Sequence, residues 1–205
     1  SETMARVHYQ LASLYAKMWE FRRADSAISR SISIFTKWGG AFSEVQRAYV
    51  LQSIIGQSLG RTVEARDVAR WSTEIAETRL GAADLSVLEG KRVLADIGCD
   101  LGEFAYAESL YSAVLTALRP LVPPGHSDLI LATQARGAVL IELGRLDEGG
   151  AILREARDMW LANMDVDRVR ALECSLRLGE ALVRGKQYQE ADSLLPRLRA
   201  DAIHH

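Results

Sequence analysis

A small residue that opens an apolar helical stripe recurs five times along the 205 residues, and this recurrence limits the fold more than any other property of the chain. The small residues are Ala24, Ala65, Ala107, Gly149 and Ala191, at successive gaps of 41, 42, 42 and 42. Five positions before each comes a turn residue: Trp19, Gly60, Gly102, Gly144 and, one position early, Gly185. The stripe follows offsets 0, 3, 4, 7 and 11, one face of a helix. It reads Ala107, Leu110, Tyr111, Val114, Leu118 in the third repeat and Ala24, Ala27, Ile28, Ser31, Phe35 in the first. The fourth gives Gly149, Ile152, Leu153, Ala156, Trp160, the second a weaker Ala65, Val68, Ala69, Ser72, Ala76, and the fifth Ala191, Leu194, Leu195, Leu198. Twelve positions before each stripe stands another small residue: Ala12, Ser53, Ala95, Gly137 and Gly179. Small residues there let two helices approach closely, as an antiparallel hairpin requires.

The spacing therefore predicts an all-α chain of five stacked hairpins, with repeats at about 5–45, 46–87, 88–129, 130–171 and 172–203 of one repeat domain spanning 1–205. Pro196 falls inside the last stripe and lacks a backbone donor, so the final helix is expected to kink or end near it, with 201–205 frayed. Ser1 is placed to cap the first helix.

Composition closes off other classes. Apolar residues make up 48% and charged residues 25%, which suits a soluble chain with a core. Four prolines, six tyrosines and four phenylalanines argue against a β-sandwich rich in aromatics and turns. A net charge of −2 lacks the basic excess of a direct nucleic-acid binder. No apolar run reaches the ~20 residues of a membrane span, and no signal peptide opens the chain. Cys99 and Cys174 form neither a disulfide framework nor a zinc spacing. The first residue is not Met, and His204-His205 reads as a tag remnant rather than a metal site. The expectation is a soluble segment of a longer chain, with cytoplasm favoured over periplasm.

Motifs that might carry chemistry fail on their spacing. Gly179 to Lys186 has a spacer one residue too long for a phosphate loop, lacks Ser or Thr after the Lys, and reads as helix. His126-Ser127-Asp128 has triad letters, but adjacent residues cannot adopt triad geometry. Asp96 and Asp100 share a helix face beside Cys99, too few oxygens for a hard metal and better read as an acidic patch. The two cysteines read as packing residues, as do Trp19, Trp38, Trp71 and Trp160. His8 has no second ligand nearby. No catalytic residue, metal or cofactor is expected.

The pairs Leu11-Ala12, Leu94-Ala95 and Leu178-Gly179, followed by Tyr15, Gly98 and Leu182 and then the turn, resemble tetratricopeptide repeats (TPRs). Leu143-Gly144-Arg145-Leu146-Asp147-Glu148 is the best single match, and the second repeat is the weakest, with Gln52 in place of Leu. The usual TPR is about 34 residues. The longer period of this chain resembles the kinesin-light-chain type, and Pro123-Pro124-Gly125-His126-Ser127-Asp128 is similar to the stretch that joins such repeats. Arrays of this kind occur in C-terminal regions of bacterial signalling kinases and regulators.

The resemblance implies a right-handed α-solenoid whose first helices line a concave groove. Carried over residue by residue, the groove positions of the first two repeats are Arg6, Tyr9, Ser13, Lys17, Arg47, Val50, Ile54 and Gln57. Those of the third are Glu89, Arg92, Asp96, Cys99 and Asp100. The last two offer Gln134, Ile141, Glu142, Glu173, Leu176, Glu180 and Arg184. Cations gather toward the N-terminal half and carboxylates toward the other, a field able to orient an extended peptide. The reading implied is a protein–protein interaction module, the sensing or scaffolding part of a larger signalling protein. Self-association through terminal helices and a peptide or small-molecule sensor are its rivals. The asparagine ladder of kinesin-light-chain grooves is missing, because Asn163 is the only Asn, and the paired Asn and Lys of chaperone-tail binders are missing too. Cargo and chaperone binding therefore do not carry over.

Overall fold

The structure, a computed structural model, describes residues 1–162 and 168–194, and all regular structure among them is helical. The chain divides into two compact units, Ser1–Gly102 and Glu103–His205. The first holds α1 (Glu2–Lys17), α2 (Phe21–Trp38), α3 (Phe42–Ser58), α4 (Thr62–Leu80) and α5 (Leu85–Asp100). The second holds α6 (Phe104–Leu118), α7 (Ser127–Glu142), α8 (Leu146–Ala162), α9 (Arg168–Arg184) and helical residues 188–194. Within each unit a helix touches only its nearest successors: α1 packs on α2 and α3, α3 on α4 and α5, α7 on α8 and α9. Contacts of such short range are what a stacked repeat produces.

One backbone device closes the hairpins. Trp19, Gly60, Gly102, Gly144 and Lys186 have φ of 61°, 78°, 74°, 77° and 60°, the left-handed region. In the loop after α3, Gly60 N–H donates to Gln57 O at 2.9 Å and Arg61 N–H to Gly56 O at 2.9 Å. The same pair closes α1, where Trp19 donates to Ala16 O and Glu20 to Tyr15 O, and closes α7 and α9. This is the Schellman end, whose left-handed residue satisfies carbonyls the helix leaves open. Its geometry corrects one expectation: the fifth turn residue is Lys186, not Gly185, and the repeat there keeps its full period. Ser1 occupies the N-cap of α1, but its hydroxyl makes no cap bond.

The stripes face inward. In α2 the buried residues are Ala24, Ala27, Ile28, Ser31 and Phe35, the full set expected for the first repeat. In α4, α6 and α8 one stripe position is half-buried (Val68, Leu110 and Ile152), while Thr73, Leu115 and Gly150 are buried instead. The helices of a hairpin meet at their small residues. A Cβ on Gly149 would lie 2.8 Å from Gly137 O and 2.9 Å from Ile141 Cγ1, and one on Gly137 would lie 2.9 Å from Leu153 Cγ. The second repeat, poor in large apolar residues, substitutes a polar link: buried Gln46 Nε2 donates to Thr73 Oγ1 at 3.2 Å, over Gly90. In the first, Ser31 Oγ donates to Ala5 O at 2.7 Å and fixes α2 on α1. Leu195, Pro196, Leu198 and 201–205 lie outside the described residues, and so does the expectation of a kink there.

Two substitutions of opposite sign test this packing. Gly149→Ala gains up to about 1 kcal/mol of helix propensity, but its methyl meets backbone that cannot retreat, so a net loss of about 1–3 kcal/mol is expected in thermal or urea unfolding. Lys186→Gly relieves a left-handed L-residue and should gain up to about 1 kcal/mol, less the added freedom of the unfolded chain. A stabilised Gly149→Ala or a destabilised Lys186→Gly contradicts the packing or the turn.

Candidate functional site

In the first unit the first helices α1, α3 and α5 stand side by side, and polar side chains link them. Arg6 Nε of α1 lies 2.9 Å from Glu44 Oε1 of α3, and Arg6 also holds Glu2 at 2.6 Å. Gln57 Nε2 of α3 donates to Asp100 Oδ2 of α5 at 2.6 Å. Between α1 and α3 opens a crevice of about 150 Å³, lined by Arg6, Tyr9, Gln10, Glu44, Arg47 and the buried ring of Phe35. Glu44 Oε2 is buried there with no hydrogen-bond partner among the described residues. Burial raises the Tyr9 phenol above its ordinary value and Glu89 of α5 raises it further, against an opposing effect of Arg47. Tyr9 thus stays a neutral donor through the physiological range.

The other expected groove residues fall into pairs rather than into one field. Arg92 and Asp96 bond along α5 at 2.6 Å. In the second unit Gln134 of α7 donates to Glu173 Oε2 of α9 at 3.3 Å and accepts from Trp160 Nε1 at 2.9 Å. Arg184 lies 3.7 Å from Glu142 and 3.6 Å from Glu180. Lys17, Arg47 and Leu176 are exposed, while Ser13, Ile54 and Cys99 are half-buried. Val50 and Ile141, expected at exposed groove positions, are buried. The reason is crowding: α3 packs against α1, α2, α4 and α5, and Ile141 is covered by Leu178 and Leu182 of α9 and Leu153 of α8.

The remaining motifs resolve into structure. Nδ1 of His126, at the N-cap of α7, accepts from Asp128 N–H at 3.3 Å, and Gly179 lies inside α9. Trp160 is core and Trp71 packs edge-on against Tyr49 with centroids 5.1 Å apart. Trp19 and Trp38 are largely exposed beside their loops, contrary to a packing role. Two further crevices mark the seam where a second helix meets the following hairpin. One involves Gly56, Arg61 and Glu64, the other Leu182, Gln187 and Glu190 three repeats later, so both belong to the stacking. No cluster of His, Cys, Asp or Glu able to hold a metal occurs among the described residues. None of their helices is long and apolar enough to cross a membrane.

Comparison with known proteins gives the fold. No protein-family model matches the sequence, and no curated protein matches it. Solved structures do match. A Podosopora anserina kinesin-light-chain-type protein with nearly identical TPR-like repeats superposes at a TM-score of 0.80 and 18% identity, over 98% of this chain and 96% of that one. BtubC from P. vanneervenii superposes at 0.87 and 17% identity, over 99% and 81%. A Rap protein complexed with competence and sporulation factor superposes at 0.80 and 14% identity, over 98% of this chain and 54% of the Rap chain. The fold is that of the TPR-like helical repeat proteins, as the recurrence and its residues indicate.

The two thiols differ in a way that can be measured. Cys174 is fully buried, and burial, followed by Glu173, pushes its thiol up to about 12. Cys99 is half-buried. At pH 8 an aromatic disulfide reagent should therefore titrate one thiol of the native protein, the one at Cys99, and reach Cys174 only on unfolding. Two thiols reacting at equal rates in the native state would contradict the packing of α9 on α8.

Proposed function

We propose that this chain is a protein–protein interaction module that holds an extended peptide, or an exposed segment of a partner, on the first-helix face of its first unit. The observation that carries the reading is the α1–α3 crevice with the unpaired, buried Glu44 Oε2 at its wall. A buried acceptor without a donor costs about 1–3 kcal/mol. A peptide N–H that reaches this oxygen as the crevice opens removes that cost on binding. Exposed Arg47 sits at the rim to meet a carboxylate, and Tyr9 and Phe35 offer a hydroxyl and an apolar wall. A peptide with an acidic side chain near an apolar one matches that set.

Several observations favour binding over catalysis. Asp96, Asp100, Glu142, Glu173 and Glu180 are each engaged by Arg or Gln, as structural carboxylates are. The Rap structure is a complex with a factor, which supports ligand capture by a fold of this kind. A place as the sensing or scaffolding part of a larger bacterial signalling protein goes with this reading. With a net charge of −2, a protein or peptide partner suits the chain better than nucleic acid.

The test is selection from a random 12-residue peptide library on the purified chain, followed by calorimetry of the enriched sequences. Arg47→Glu and Tyr9→Ala should each weaken those peptides about tenfold or more, a loss of about 1.4 kcal/mol. Trp71→Ala on α4 should leave affinity unchanged. Equal affinity for wild type and Arg47→Glu removes the crevice from the site, and a concentration-dependent dimer that excludes the peptides favours self-association.

A further inference from the structure

The outer side of α1 carries five large apolar residues, Met4, Val7, Leu11, Leu14 and Met18, spaced 3, 4, 3 and 4 apart. At 100° per residue they form one face, separate from the packed Ala5 and Ala12 and from the crevice residues Arg6 and Tyr9. All five are exposed, Leu14 to 55% and Met18 to 63%. A contiguous apolar row of that size on a helix is a surface made to be covered.

The repeat shows what covers it. One period on, the same face of α3 is Val45, Ala48, Gln52, Ile55 and Leu59. There Val45, Ala48, Ile55 and Leu59 share one cluster with Ala27, Ile28 and Phe35 of α2. In the second unit the face of α9 is Ala171, Cys174, Leu178 and Ala181, packed on Leu153, Ala156 and Trp160 of α8. In both units this face receives the stripe of the second helix that precedes it.

We propose that the outer face of α1 docks one amphipathic helix of the second-helix type, with a stripe like Ala24, Ala27, Ile28, Ser31 and Phe35. Val7 adds a requirement. It stands where the covered helices have Ala48, Gly90, Ala132 and Cys174, so the arriving helix must present a small residue opposite it. The driving force is apolar burial, and the specificity lies in small residues that let the backbones approach. The surface is distinct from the α1–α3 crevice, and its occupation does not depend on a peptide there.

The experiment supplies such a helix in register. Ser1 corresponds to Phe42, so a second copy of residues 21–41 fused ahead of Ser1 enters α1 as α2 and its linker enter α3. A second fusion carries Val7→Ala to admit a stripe not shaped for valine. In at least one fusion, amide exchange across α1 should slow about tenfold or more and the melting temperature should rise. Leu14→Arg should abolish both gains in the fused chain while leaving the melt of the unfused chain unchanged. Unaltered α1 exchange in both fusions overturns the proposal. So does an unfused chain that is dimeric with α1 already protected, because a second copy then occupies the face.

Discussion

Two helices of a hairpin come only as close as the side chains at their crossing permit, and the rest of this fold depends on that approach. At Gly137 and Gly149 the crossing is so tight that either missing Cβ would fall within 3 Å of a neighbouring atom. At Gly56 and Ala65 an added methyl would lie 3.3 Å from the alanine's own. A close crossing places the stripe of the second helix against the first, and the large residues at later offsets fill the layer between them. Dispersion and apolar burial grow with that contact. The left-handed turn serves the same end, because a Schellman closure returns the chain after three residues with its carbonyls satisfied.

Stacking then sorts each first helix into faces. In α3, for example, one face is covered by its own partner α4, one by the preceding second helix α2 and one by the neighbouring first helices α1 and α5. What remains open is narrow, and there the polar side chains work. Arg6–Glu44, Gln57–Asp100 and Gln134–Glu173 each join two first helices within a unit. Exposed pairs of this kind contribute little to stability. Their effect is to fix the spacing of the helices, and the peptide reading proposed above draws on the groups they leave, Arg47, Tyr9 and the second oxygen of Glu44.

The recurrence made the fold legible in the sequence because it is carried by residues chosen for size. The first stripe matches the buried set of α2 residue for residue. Lys186 was hidden because sequence reading follows glycine, whereas the left-handed turn follows the hydrogen-bond ring that closes the helix. Val50 and Ile141 were misplaced because a family's exposed positions say nothing about how closely the next hairpin packs in this chain. The link between Gln46 and Thr73 joins residues of separate helices, which a linear pattern cannot pair. The exposed row from Met4 to Met18 was visible as spacing. Its meaning comes only from seeing that its counterparts in α3 and α9 are covered.

Native-state hydrogen exchange read residue by residue tests the repeat most directly. Paired helices predict slow amides at 24–28, 65–69, 107–111 and 149–153, recurring with the 41- and 42-residue gaps, and fast exchange at the 39–41 and 81–83 loops between hairpins. The weakly apolar stripe of α4 should be protected like the others, because its small residues set the same approach. Exchange of 65–69 as fast as the loops, or protection that recurs with another period, would contradict the hairpin repeat.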